Sequence, residues 1–294
     1  MDYTGYELYH RKWSYRPGFP CSSNVVRIPE DEPVIPLHHH NEAELILVLE
    51  GEATVTIDLE PYTAVEGTIL IIQPDQLHAM ECAPENHLSF LDLTFHLDLL
   101  ESQYPDLCNK DYFDPIRNGA VTLPSCVTAD LPWYDAMEKC IRGIDELCRW
   151  VPEAWPLAVK SRLFQLFYIL YYNKTERPPR THPQKSLDKA RFLTDYITKN
   201  CREHLTVPGM ADQVGLSESQ FMKFFRSSFG MTFVDYLNDC RLITAAILLT
   251  GTDKNIQDVA VECGIPSIGH FNKIFQKKFG VTPSRYRKAR GNLK

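Results

Sequence analysis

VPGMADQVGLSESQFMKFFRSSFGMTFVDYL, from Val207 to Leu237, and IQDVAVECGIPSIGHFNKIFQKKFGVTPSRYR, from Ile256 to Arg287, are two copies of one unit, and their shared spacing decides the fold of the C-terminal third. Ala211 aligns with Ala260 and Gly215 with Gly264 at an offset of 49, whereas Phe221/Phe271, Lys223/Lys273, Phe225/Phe275, Phe229/Phe279, Gly230/Gly280, Thr232/Thr282 and Tyr236/Tyr286 align at 50. One extra residue therefore sits just after the turn of the second copy. Each copy has the grammar of a helix-turn-helix: a short helix built around a small residue that permits a close crossing, a glycine where the chain leaves that helix, and an apolar plug, Leu216 or Ile265. A second helix then carries Phe221, Phe224 and Phe225, or Phe271, Ile274 and Phe275, on its inward face. An aromatic stripe alone would be ordinary core. The duplicated alanine, glycine and plug at fixed spacing point further, to DNA.

The faces left outward are polar. Glu218, Ser219, Gln220, Met222, Lys223 and Arg226 in the first copy, and Ser267, His270, Asn272, Lys273, Gln276 and Lys277 in the second, are the candidate DNA-contacting residues. Charge agrees with them. The chain as a whole carries 31 Lys and Arg against 38 Asp and Glu, but from Lys185 onward 17 basic residues stand against 10 acidic, a net +7, which leaves −14 on the first 184 residues. The two parts have different partners. From Lys273 to the end there are eight basic residues and no acidic one, a distribution suited to phosphate contact.

The region from about Lys185 to Arg287 resembles the DNA-binding domain of the AraC/XylS family of bacterial transcription regulators. DYLNDCRLITAAILL, which joins the two units, IQDVAVECGI and FNKIFQKKFGVTPSRYR carry the likeness. Two positions depart from the pattern: Pro266 stands where a small capping hydroxyl residue is more usual, and Gly269 lies inside the second reading helix. The resemblance implies reading helices Glu218 to Ser228 and Ser267 to Lys278, set apart by a helix from Val234 to Leu249. They would enter successive major-groove segments about 34 Å apart.

At 294 residues and 44% apolar content the chain is long enough for two cores. The N-terminus is too polar for a secretory signal, and the longest apolar run, Leu163 to Tyr172, is about half a membrane span. Nine cysteines, an odd number with no C-x-x-C pair, argue for reduced thiols, and the expected location is cytoplasmic.

The first 130 residues read as strands, because ELILVLEG, EATVTIDL, GTILIIQP and HLSFLDLTFHL are short, rich in apolar and β-branched residues, and punctuated by Gly, Pro or Asp. Within them His38, His40, Glu44 and Gly51 are followed by Gly67, Pro74 and His78. This spacing resembles the two motifs of the cupin β-barrel over roughly Pro33 to Cys82, without the usual glycine before the first histidine and without the closing asparagine. By the period of two, His38, His40 and Glu44 share one strand face, with His78 approaching from a neighbour and His39 pointing outward. Such a set would suit Zn, Mn, Fe or Ni; it would equally suit a hydrogen-bonding ligand pocket, or be a structural relic of the barrel. His10 and His96 fit no pattern.

Trp133, Met137, Cys140, Ile141, Ile144, Leu147 and Cys148, then Trp155, Val159, Leu163, Leu166, Phe167 and Leu170, recur at helical spacing, with Pro152 and Pro156 between them. The expected organisation is a cupin-like sensing barrel over 1–130, a helical hairpin over 131–172 that dimerises, a polar Pro-containing linker over 173–184, and an all-α DNA-binding domain over 185–294. The function implied is a non-enzymatic, ligand-responsive transcription regulator, an activator. Its partners are double-stranded DNA, a small-molecule effector such as a sugar, a second copy of the chain, and RNA polymerase. No cofactor is implied beyond that candidate transition metal. The competing reading is a metal-dependent cupin enzyme with an appended DNA-binding domain.

Overall fold

A computed structural model describes residues 2–4, 15–28, 34–82, 87–174 and 183–290. His10, the Asp31–Pro33 region, most of the expected linker and the last residues of the basic tail lie outside them. The chain divides into two compact units at Leu187/Asp188.

Among the described residues the first unit has nine strands: β1 (Asp2–Thr4), β2 (Cys21–Ile28), β3 (Val34–His38), β4 (Ala43–Ile57), β5 (Glu60–Val65), β6 (Ile69–Ile72), β7 (His78–Cys82), β8 (Leu88–Phe95) and β9 (Cys126–Val127). Hydrogen bonding runs β1-β2-β8-β4-β6-β9, while β5 and β7 also pair with β4, and β3 pairs with β7. The two segments ELILVLEG and EATVTIDL, separated in the sequence reading, form one strand of 15 residues. Its first half pairs with β6 and β8 and its second half with β5 and β7. Gly51 and a register shift between Val48 and Glu50 make the bend that carries it from one layer to the other. Gly51 holds φ at +90°, and a Cβ there would stand 1.9 Å from the carbonyl oxygen of His87. Only glycine fits.

Alternation along β4 and β8 sorts two apolar clusters. Ile46, Val48, Phe90 and Leu88 face the barrel interior with Val26, Val55, Leu70 and Met80. Leu45, Leu47, Leu91, Leu93 and Phe95 face the other way, toward a hairpin of α1 (Tyr134–Trp150) and α2 (Trp155–Tyr172). Met137, Ile141, Ile144, Val159, Leu163, Leu166 and Phe167 of that hairpin complete the second cluster. Covered on both faces, β8 needs no polar alternation, which is why it reads as a near-continuous apolar run. Between barrel and hairpin the expectation of strands fails: residues 97–100, 109–113 and 114–117 are short helical turns that bury Leu97, Leu99, Leu100, Phe113 and Ile116. A hydroxyl from each side pins the hairpin, Tyr134 Oη donating to Gly67 O at 2.7 Å and Ser23 Oγ to Asp145 at 2.8 Å.

The second unit is helical, beginning within α3 (Gln184–Asn200) and continuing through α4 (Val207–Gln213), α5 (Glu218–Phe229), α6 (Phe233–Gly251), α7 (Ile256–Glu262), α8 (Ile268–Phe279) and α9 (Pro283–Arg290). No helix of the described residues is long and apolar enough to cross a membrane.

Candidate functional site

The two repeated units fold alike. Gly215 and Gly264 hold φ at +61° and +85°, and the next residue's amide closes each turn: Leu216 N donates to Ala211 O at 3.0 Å and Ile265 N to Ala260 O at 2.8 Å. Gly230 and Gly280 end α5 and α8 in the left-handed conformation. Phe221, Phe225, Phe271 and Phe275 are fully buried. The twelve candidate contact residues all lie on exposed faces.

Two of the twelve have local work. Gln220 closes a capping box with Ser217, each side chain bonded to the other's backbone amide. Ser267 accepts from His270 N at 3.4 Å and so caps α8, which begins at Ile268. This corrects the sequence reading, which put Pro266 at the capping position and started the helix at Ser267. Ser217 and Ser267 are equivalent at the offset of 50, so Pro266 is the extra residue, exposed and one place before the cap. Gly269 falls in the first turn, where a Cβ would meet nothing within 4 Å.

In the barrel, His38, His40, Glu44 and His78 come together, though by a different route from the one expected. His38 ends β3, His40 lies in the connection to β4, Glu44 is the second residue of β4, and His78 opens β7. They do not share one strand face. The chain turns over residues 39–42, and this turn brings His40 back over Glu44. His40 Nε2 lies 3.0 Å and His78 Nε2 3.2 Å from the same Glu44 oxygen, and the His38 and His78 ring centroids are 4.0 Å apart.

Tautomers follow from the partners. His38 Nδ1 and His78 Nδ1 each lie 2.9 Å from a backbone carbonyl, of Pro36 and Gln76. A carbonyl only accepts, so Nδ1 carries a hydrogen in both rings, and in His78 this leaves Nε2 to face Glu44. Burial and the neighbouring His78 and His40 hold His38 well below the usual imidazole range. Burial would also lower His40, but hydrogen bonds to Glu42 and Glu44 outweigh it and push His40 up to about 10. Those bonds from His40 and His78 overcome the burial of Glu44 and hold its carboxyl well below the usual range.

The cluster is larger than its motif. Asp92, fully buried on β8, lies beside Glu44; burial first and that carboxylate second raise it far above the usual range. Two adjoining carboxyl groups cannot both be charged there, so Asp92 keeps the proton and Glu44 the charge. Glu42 joins His40 Nδ1, at 3.3 Å, to His96 Nε2, also at 3.3 Å. The Tyr15 ring meets His96 edge-on at 5.8 Å, and burial together with Glu42 pushes its hydroxyl far up. His96, which fitted no sequence pattern, thus belongs to the site. His39 stands apart, 3.8 Å from Asp75, yet its side chain is only 15% exposed and so does not point outward as expected.

Residues 25–121 match the model of the AraC-like ligand binding domain, and residues 210–289 that of a helix-turn-helix domain. Relatives span nearly the whole chain. The transcriptional activator RhaS of Salmonella schwarzengrund is 24% identical, covering 92% of this chain and 95% of its own, and the activator RhaR of Escherichia coli K12 is 25% identical over 89% of each. The protein belongs to the AraC family. An uncharacterized HTH-type transcriptional regulator of Bacillus subtilis, YdeC, is 23% identical over 86% of each chain. Among solved structures, ToxT from Vibrio cholerae aligns over 92% of this chain and 98% of its own, at 14% identity and a TM-score of 0.45. The helix-turn-helix match takes in α5 to α8, and the ligand-binding match takes in the barrel strands β3 to β8.

Proposed function

We propose that the protein is a transcription activator that binds double-stranded DNA through α5 and α8, dimerises through α2, and answers to an effector held at His38, His40, Glu44 and His78. The observation that carries the DNA reading is the pair of exposed polar helices joined by the 19-residue α6, within a segment of net charge +7. Asn272, Lys273 and Gln276 on α8, with Met222, Lys223 and Arg226 on α5, are the side chains assigned to the groove. Activation is carried over from the activators it resembles, and contact with RNA polymerase is the route proposed for it. A sugar or other polyol is the organic candidate for the effector.

A fragment from Lys185 to Lys294 should bind promoter DNA by itself. With six to ten phosphate contacts, its affinity should fall by about 10³ to 10⁵ between 50 and 200 mM salt. Fluorescence anisotropy on labelled promoter fragments reads this directly; binding insensitive to salt would refute the groove assignment.

The dimer face rests on a stripe of α2. Leu157, Phe164, Tyr168 and Tyr172 follow one another at spacings of seven, four and four, and are 71, 40, 67 and 78% exposed. Residues so spaced lie on one helix face. Replacing Tyr168 and Leu157 together with Glu should weaken self-association by at least about 30-fold, the equivalent of one central anchor of ~2 kcal/mol. Sedimentation of the full chain measures it, and an unchanged dimer would move the interface elsewhere.

A further inference from the structure

We propose that His38, His40, His78 and Glu44 bind a divalent first-row transition-metal ion, and that the barrel of this regulator senses that ion. The inference deepens the effector reading above and rests on it. Three imidazole nitrogens lie within 4.8 Å of one another, and the Glu44 oxygen lies 3.0 and 3.2 Å from two of them. Metal–nitrogen and metal–oxygen bonds of about 2.0 to 2.2 Å place neighbouring ligand atoms roughly 3 to 3.5 Å apart, so only small adjustments close the set around an ion. The four side chains lie close enough together to surround a single ion.

The fit extends to the supporting atoms. His38 and His78 are anchored by Nδ1 to backbone carbonyls, the arrangement that aims Nε2 at a metal. His78 Nε2 is buried, with the Glu44 carboxylate oxygen at 3.2 Å. Glu42 backs His40 as a carboxylate backs a ligating imidazole. Nitrogen-rich with one oxygen and no thiolate, the set favours Zn, Fe(II), Co, Ni or Mn over Ca or Mg.

A route from the ion to the rest of the unit is present. Drawing His40 onto a metal moves Glu42, which holds His96. His96 leads directly into the turn at 97–100, and Leu97, Leu99 and Leu100 of that turn share an apolar cluster with α1 and α2. Ion occupancy therefore bears on the hairpin.

The test uses the full chain, stripped with a chelator and titrated with Co2+ while visible absorption is followed, then with Zn2+ by calorimetry. One ion per chain is expected, with affinity reduced at least 100-fold in Glu44→Gln and in His78→Asn, both shown to be folded by circular dichroism. Glu42→Gln, outside the ligand set, should keep the site and lose 10- to 100-fold in affinity. Promoter occupancy and transcription with the metal against chelator then read sensing. Wild type that takes up no ion, or variants that bind as well as wild type, overturns the site; binding that leaves promoter occupancy and transcription unchanged overturns sensing. The same chain is screened against carbohydrates: a sugar response abolished by Glu44→Gln in protein that binds no metal would overturn the ion and leave the effector assignment standing.

Discussion

Ala260→Leu should abolish specific DNA binding by the full chain while the barrel stays folded. Ala260 is fully buried, packed with Leu242, Ala245 and Ala246 of α6 and with Phe271 and Phe275 of α8. Two of those neighbours are themselves alanines, so the helices cross closely and leave no room for an isobutyl group. Overpacking of this kind costs ~1 to 3 kcal/mol where the helices can yield, and they yield by moving α8. That helix carries the proposed base contacts Asn272, Lys273 and Gln276, and each good contact of this kind is worth about 1 to 3 kcal/mol and depends on placement. The combined loss should exceed 100-fold in specific affinity, read by anisotropy at fixed salt. Ala211→Leu, its equivalent in the first unit, is expected to act in the same way. Retention of full affinity by both would mean the crossings are looser than described.

Gly51→Ala should be the most damaging single-atom addition to the first unit. A Cβ there would meet the backbone oxygen of His87 at 1.9 Å, and backbone cannot swing aside as a side chain can. The left-handed backbone adds ~1 to 3 kcal/mol of strain, and prising β4 from β8 adds more. A loss of about 3 kcal/mol or greater corresponds to a fall in Tm of roughly 6 to 12 °C for a unit of this size. Gly18→Ala is the control, since Gly18 has φ +76° but open space around it. It should cost only the strain. Equal effects of the two substitutions in calorimetry would show that contact with His87 is unimportant.

What the sequence disclosed follows the range of the interactions. The helix-turn-helix units were readable because a turn, its plug and its inward stripe lie within about 20 residues and occur twice. The same locality explains the error at Pro266: one inserted residue can be placed on either side of a cap, and the hydrogen bond from His270 N to Ser267 decides it. The metal-like cluster was readable as four positions but not as a geometry, because the turn at 39–42 replaces the single strand that alternation assumes. Asp92 was hidden for a different reason. It stands in an apolar run that reads as buried strand, and it reaches the site only through register, opposite Ile46 and two pairs from Glu44. Nothing local marks it. Glu42 and His96 come together the same way, across the β4–β8 pairing that sets Ala43 opposite Phe95.

The helix between the two helix-turn-helix units makes this part of the protein a rigid gauge. Its 19 residues, at about 1.5 Å each, hold the units roughly 28 Å apart along its axis. A residue gained or lost there would turn one unit against the other by about 100°, out of phase with the duplex. If α5 and α8 read DNA as proposed, targets can drift in base sequence by exchange of their exposed side chains, while α6 keeps the interval between the two contacted segments fixed.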